Sequence, residues 1–375
     1  MVAKPIERLE RIEDPRQLRG RRHLLADALA IALCAVIWGA DGWQAMAAFG
    51  RARRKWFKRF LSLPYGIPSR QTFERIFATL RPEALERCWG EWVEALRREQ
   101  EHQVAIDGKS LRGSFDRANQ QAAIQMVSAW ASAHERVLGQ LATEVKGNEI
   151  TAIPPLLKLL DIAGATVTLD AMGCQKDMAD QIVEQGGDYV LAVKDNQPTL
   201  HEEVRLLMDD TSATPRRDVP LYFHPEVDGD HGRIETRRAW VMPAVDWYED
   251  RERWKGLQSL AALECEREVN GKTTLERRYF IGSLDGRAAA AIAKAVRNHW
   301  HSENKLHWLL DMGFREGFRE EACRIRKGPG AENFSRLRRR ALILLQREKT
   351  EKLGIANKRL MAGWDQDYLL KILAT

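Results

Sequence analysis

Two short apolar runs, Val104-Ala-Ile-Asp107 and Thr166-Val-Thr-Leu-Asp170, each end on an aspartate that is followed by small residues, Gly108 in one case and Ala171-Met172-Gly173 in the other. Runs this short and this apolar read as strands inside a sheet rather than as helices. A carboxylate at the end of such a strand faces the crevice where sheet proteins place their sites. Taken singly, an Asp-Gly is also an ordinary way to open a turn. The segments between the two aspartates decide whether the strands can be neighbours. Ala122–Ala133 and Val137–Thr143 read as an antiparallel pair, and Ile150–Leu160 as a helix with two prolines in its first turn. Beyond Asp170, Lys176–Gln185 reads as a helix and Asp188–Val193 as a strand. Three strands, helix, strand, helix, strand imply a mixed sheet with helices packed on it.

The flanking regions differ from this core. Residues 1–100 read as nearly all helical: Leu24–Trp38 is rich in Ala and Leu, Gly42–Phe49 and Ala52–Leu61 follow, and Ser69 is a good N-cap for Gln71–Leu80. Pro82 then opens a helix reaching about Arg98. The apolar run Leu24–Ala40 is too short for a membrane span and is interrupted by Asp27, so it is expected to be a buried helix. Residues 197–280 read as a short helix, a polar loop and strands near Ile234–Val241 and Gln258–Glu268. Asn270-Gly271 then turns the chain into a partner strand, Thr273–Ile281. From Arg287 helix resumes to about Leu310, with another from Glu332 to Lys349.

The helix near residue 300 carries the third candidate acid. At about 100° per residue, Ala289, Ile292, Val296, Trp300, Leu306 and Leu310 form one apolar stripe, with Lys294, Arg297, His301 and Lys305 on the other side. Glu303 falls within the apolar stripe, where an unpaired carboxylate is costly. It therefore needs a cationic partner, a metal or a cleft. A buried structural ion pair would satisfy it too, but Asp107 and Asp170 can converge on the same place. Three carboxylates suit hard divalent cations such as Mg²⁺ or Mn²⁺. Two such ions, roughly 3.5–4 Å apart, serve phosphodiester chemistry.

These blocks resemble the DDE transposases of bacterial insertion sequences, and within them the H-repeat-associated (ISAs-type) branch. The resemblance lies in Val104-Ala-Ile-Asp107-Gly-Lys-Ser-Leu-Arg-Gly, Leu169-Asp170-Ala-Met-Gly-Cys-Gln, Gly186-Gly-Asp-Tyr-Val-Leu-Ala-Val-Lys194-Asp-Asn-Gln197 and His299-Trp300-His-Ser-Glu303-Asn304-Lys-Leu-His307-Trp308-Leu-Leu-Asp311. It covers nearly the whole chain. It implies a ribonuclease H-like α/β core, a mixed sheet flanked by helices, with a β-rich insertion and an N-terminal all-helical domain. The implied division is 1–100 for DNA binding, 101–196 for the first part of the core, 197–283 for the insertion and 284–375 for the helical end carrying Glu303. Asp107, Asp170 and Glu303 are implied as ligands of two Mg²⁺ or Mn²⁺ ions that cut and rejoin DNA. The implied partners are the element's terminal inverted repeats and target DNA, bound by a homodimer. One departure stands out: the wider group has a Tyr-Arg-Glu-Lys signature around its Glu, and the flanking positions here are Val296, His299 and Leu310. The Arg and Lys roles on phosphate are therefore not carried over.

Charge supports an acidic polymer as partner. The net charge is +6 with a pI near 9.1, and Arg51-Ala-Arg-Arg-Lys-Trp-Phe-Lys-Arg59 holds six basic residues in nine. Arg51, Arg53, Arg54, Lys55, Lys58 and Arg59 are candidate phosphate contacts, with strongly salt-dependent binding, although a solvated face over inward-packed Trp56 and Phe57 fits as well. Arg70 and Gln71 would lead the second helix of a helix-turn-helix. Lys109, Arg112, Lys194, His299 and Lys305 flank the acids, and Arg324, Arg326 and Lys327, with Arg336, Arg338 and Arg340 beyond, would line DNA next to the metals. Glu303 and His307 lie four apart on a helix, a zinc-like pair lacking a third soft ligand. The five cysteines show no C-x-x-C pair, and with no signal-like start the expected setting is the bacterial cytoplasm, on the nucleoid when DNA-bound. No Walker loop, dinucleotide fingerprint or G-x-S-x-G elbow is present, so no organic cofactor is expected. Two rivals remain: a nuclease using the same acids without strand transfer, and a catalytically silent DNA-binding protein.

Overall fold

The computed structural model describes residues 4–95, 103–115, 122–131, 136–143, 149–214, 219–230, 233–244, 248–301, 310 and 324–375. The first stretch is helical: α1 (Lys4–Leu9), α2 (Leu25–Trp38), α3 (Trp43–Ala52), α4 (Arg54–Phe57), α5 (Arg70–Thr79) and α6 (Pro82–Ala95). Every residue of α2 from Leu25 to Ile37 except Ala26 is buried, as expected for a helix with almost no polar face. Its 14 residues are too few to cross a bilayer, and no single described helix is long and apolar enough to do so. α5 starts where predicted, with the Ser69 hydroxyl accepting from the Thr72 amide at 3.2 Å. The helix predicted over 52–61 shrinks to the single turn of α4, and its aromatics Trp56 and Phe57 are buried.

The sheet follows. β1 (Gln103–Ser110), β2 (Gln125–Ala131) and β3 (Arg136–Thr143) form an antiparallel meander. α7 (Glu149–Lys158) leads to β4 (Thr166–Leu169), and α8 (Lys176–Glu184) to β5 (Asp188–Val193). β4 pairs parallel to β1 and β5 parallel to β4. Both connections run through a helix, as parallel neighbours require. Pro154 and Pro155 lie inside α7, beyond the first turn where the sequence seemed to put them.

Next come α9 (Pro198–Ala213), β6 (Tyr222–Asp230), β7 (Arg233–Pro243), β8 (Ser259–Val269) and β9 (Lys272–Gly282). These strands extend the same sheet: β9 pairs antiparallel with β5, giving the order β3-β2-β1-β4-β5-β9-β8-β7-β6. The β8–β9 turn is the predicted one, with Asn270 and Gly271 at φ 51° and 73°, the left-handed pair of a type I′ hairpin. β6 was not predicted. It is an outer strand held by a backbone ladder from Tyr222↔Val241 to Asp230↔Arg233. With Phe223 and Val227 exposed it carries no burial pattern to read, and an edge also tolerates Pro225.

α10 (Ala289–His301), α11 (Gly330–Arg347), α12 (Ile355–Trp364) and α13 (Gln366–Ala374) complete the described chain. α10 lies on one face of the sheet, with Ile292, Ala295 and Val296 packed among Val190, Val241, Ala261 and Phe280. α7 packs on the opposite face. The last three helices share one core with the first six. Asn333 on α11 donates to the carbonyls of Phe77 and Leu80, at 2.9 and 2.8 Å, closing the end of α5.

The structure corrects the reading of the basic run on α11. Arg336, Arg338, Arg339 and Arg340 are at most 2% exposed. Arg336 pairs with Glu86 and Glu332 and donates to the carbonyl of Gln140, Arg340 reaches Glu86 at 3.1 Å, and Arg338 stacks on Phe334. Buried guanidinium groups must be paired, and these join α6 and β3 to the C-terminal helices rather than face DNA.

Glu348, just after α11, is fully buried and ties the C-terminal helices together. It accepts from the Tyr368 hydroxyl at 2.8 Å and the Thr350 amide at 2.8 Å, with the Lys358 ammonium at 3.4 Å. Burial alone would raise its carboxyl pKa, but Thr350, Tyr368 and Lys358 overcome that and hold it at about 2. A folded value below the unfolded one gives stability that is present above about pH 4.5 and lost as pH falls towards 2. Glu348→Ala should therefore lower the unfolding free energy at pH 7 by about 3–5 kcal/mol, as for other buried pairs robbed of one partner. Urea melts at pH 7 and pH 3.5 should show the gap between wild type and variant narrowing in acid.

Candidate functional site

The parallel register of β1 and β4 pairs Ile106 with Leu169, so Asp170, just past the end of β4, comes beside Asp107. Contrary to the expected strand end, β1 runs on to Ser110, with Asp107 paired to Ser128 of β2. Ile106 and Leu169 point into the core under α7. Alternation therefore turns both aspartates to the α10 side. There they line a cleft of about 450 Å³ together with Lys194, Arg278, His299 and Trp300. Asp107 accepts from the Gly108 amide at 2.8 Å. Asp170 caps the short turn Ala171–Gly173, accepting from the Gly173 amide at 3.2 Å.

α10 forms the opposite wall. Its apolar stripe is the predicted one from Ala289 through Val296, and Trp300 is partly exposed at the cleft. His299 Nδ1 is 3.0 Å from the Thr168 hydroxyl, two residues before Asp170. Burial pulls the imidazole pKa below its usual 6.5, against the opposing charge of Asp170. Near neutral pH this ring is therefore a neutral hydrogen-bonding group rather than a cation. Glu303, Lys305 and His307 lie outside the described residues. At the two other signature positions, Val296 and Leu310 are buried. Among the described residues no three His, Cys, Asp or Glu side chains form a ready metal site; the carboxylates lining the cleft are those of Asp107 and Asp170.

A fourth acid near the site was missed. Glu149, the first residue of α7, presses on Gly108: a Cβ placed there would sit 2.5 Å from its carboxyl carbon. Burial and the charge of Asp170 both raise its pKa, while a hydrogen bond from the Gln125 amide opposes them. No sequence signal marks it, because an acid in a helix's first turn is commonplace.

The basic candidates divide by position. Lys194 and His299 stand at the cleft. Lys109, expected beside the acids as a DNA contact, is instead buried, whereas Arg112 is exposed. Arg51, Arg54, Lys55, Lys58 and Arg59 are exposed, and Arg53 donates to the Gly363 carbonyl at 2.7 Å. Arg70 and Gln71 are exposed at the start of α5, whose other face buries Phe73, Ile76 and Phe77. Arg324, Arg326 and Lys327 are exposed, with Arg326 over the ring of Phe115 just beyond β1. Arg278 carries no motif that would mark it in the sequence, and Trp300 reads there as a member of the apolar stripe rather than as a cleft residue.

Asp107 and Asp170 lie within a region, residues 98–344, that matches the Transposase DDE domain, and residues 6–93 match the DDE_Tnp_1-associated domain. The chain belongs to the DDE transposase family. It is 38% identical to the H repeat-associated putative transposase YhhI of Escherichia coli (strain K12) over 385 residues, spanning 100% of this chain and 98% of that protein. With the Putative transposase YncI of Escherichia coli O157:H7 the identity is 38%, covering 97% and 93% of the two chains. A 75-residue stretch is 34% identical to the Inactive transposase YbfQ of Escherichia coli (strain K12), 20% of this chain and 89% of that one. The H-repeat-associated resemblance read from the motifs is thus correct, and the chain is a DNA transposase.

The lowered His299 pKa has a measurable sign. The unfolded ring takes up its proton near pH 6.5 and the folded ring only at lower pH. The neutral ring's contribution is present above pH 6.5 and is lost as pH falls below it. His299→Gln should flatten the fall in stability between pH 6.5 and 5, read as the difference between wild-type and variant thermal melts across that window.

Proposed function

We propose that this transposase cuts and joins phosphodiester bonds at a site built from Asp107, Asp170 and Glu303 on a ribonuclease H-like core. The carrying observation is the Ile106↔Leu169 register, which sets two carboxylates side by side at the mouth of a cleft roofed by α10. The order β3-β2-β1-β4-β5, in which β2 alone runs against the other four, supports the ribonuclease H-like reading. A cryo-EM structure of a piggyBac transposase synaptic complex with hairpin DNA aligns over 99% of this chain and 82% of that one at 12% identity, with a TM-score of 0.42.

The donor set fits hard divalent cations: it is oxygen only, anionic and open to solvent. Asp107, Asp170 and Glu303 would hold Mg²⁺ or Mn²⁺, which when bound supply an activated nucleophilic oxygen and stabilise the leaving one. The turn Ala171–Gly173 fixes the Asp170 carboxylate, and His299 braces the wall behind it through Thr168. Exposed Arg51, Arg54, Lys55, Lys58, Arg59, Arg70 and Gln71 are the proposed contacts to the ends of the element, with Lys194, Arg324, Arg326 and Lys327 nearer the cleft. The proposed assembly is a homodimer on two DNA ends.

Cleavage and strand transfer on duplexes carrying the gene's own flanking sequences, with Mg²⁺ or Mn²⁺, test this reading. Asp107→Asn and Glu303→Gln should each lower the rate by about 10²–10³-fold or more while leaving end binding intact. Cutting without joined products would favour a nuclease. End binding without cutting by any version would favour a silent DNA-binding protein. Activity surviving in Glu303→Gln alone would remove that residue from the site.

A further inference from the structure

A cleft that takes a phosphodiester to two aspartates needs a cation to receive the substrate's own charge, and the described residues of α10 that line it are Val296, His299, whose pKa burial lowers, and Trp300. We propose that Arg278, on β9, is the phosphate-binding residue of this cleft, held in place by Trp300; the assignment rests on the site reading above. Arg278 and Lys194 are the cations among the cleft's lining residues. Lys194 is exposed at the end of β5, a mobile point charge on a flexible stem. Arg278 is different. Its guanidinium lies over the Trp300 ring, 4.2 Å from the centroid, and its side chain is 26% exposed. Stacking on an aromatic face fixes the plane of a guanidinium without using its N–H groups.

Among the described residues, the hydrogen bonds of that guanidinium go to Glu276, with Nε at 2.7 Å and Nη2 at 2.6 Å from Oε1. Glu276 is 58% exposed, so this surface pair is weak. A phosphodiester offers two anionic oxygens to the same planar donor and so competes for it. β9 pairs directly with β5, and β5 with β4, which ends at Asp170. Three adjacent strands thus connect the guanidinium to the acid, and α10 supplies the tryptophan. The extension of the sheet therefore does more than lengthen it: it brings a guanidinium into the cleft beside Lys194.

The test compares full-length wild type with Arg278→Ala, Arg278→Lys and Asp107→Asn on duplex DNA carrying the flanking ends. End-binding affinity is read against salt concentration, and the single-turnover cleavage rate is read with Mg²⁺. The expected result for Arg278→Ala is a salt slope shallower by about 1 and cleavage slower by about tenfold or more. Arg278→Lys should keep the slope but not the rate, because an ammonium cannot bridge two oxygens in one plane. A slope and rate within twofold of wild type in Arg278→Ala would overturn the assignment. Should Arg278→Ala fail to fold, a wild-type rate in Arg278→Lys would overturn it equally. Asp107→Asn separates the two readings: if it cuts at the wild-type rate, the site itself is misplaced, and the role given to Arg278 falls with it.

Discussion

The parallel pairing of β1 with β4 is the constraint on which the rest of the structure depends. Two aspartates 63 positions apart in sequence become neighbours only because Ile106 faces Leu169. A slip of one residue would turn one of them to the α7 face, since side chains alternate along a strand. The slip is opposed from the side that carries no chemistry. Val104, Ile106, Val167 and Leu169 bury on the α7 and α8 face, and a shift would take the shifted strand's apolar residues out of that core and turn its polar ones into it. Apolar packing on one face thus fixes the polar geometry on the other.

The sheet's two surfaces are treated differently. α7 and α8 follow directly from the strand–helix–strand rhythm. The other surface is covered from far away in sequence, by α10 over the central strands and by the terminal helices over the meander, where Ala105, Trp130 and Val137 join their core. Arg336 and Arg340 converge on Glu86 within that covering layer. A paired network of this kind adds less stability than its Coulomb energy suggests, but it leaves little freedom in how α11 meets α6.

Much of this was legible in the sequence where a local signal was strong. The Asp-terminated runs, the Ser69 cap, the Asn270-Gly271 turn and the stripe of α10 each follow a rule that operates within a few residues. What escaped depends on distant contacts. β6 is defined by backbone pairing at an edge rather than by burial, so its polar sequence reads as loop. The arginines of α11 read as solvent-facing because Glu86, which pairs with Arg336 and Arg340 from α6, is some 250 residues away in sequence. Arg278 and Glu149 reach the region of the aspartates from a strand and a helix that the site's motifs do not include. Glu303 was chosen from a stripe that the structure bears out through Val296, but the residue itself lies outside the described part.

The shared core of the first and last helices has a consequence for how the chain is made. α2 buries its apolar surface partly against α11 and α12, which leave the ribosome some 300 residues later. Until then the most apolar helix of the protein has no complete cover. Such exposed apolar surface is what makes partly made chains prone to aggregation. Synthesis and closure of the core are therefore nearly simultaneous events, and a message cut short between Asp170 and α11 yields a chain that holds both aspartates yet lacks the helices that close its N-terminal core.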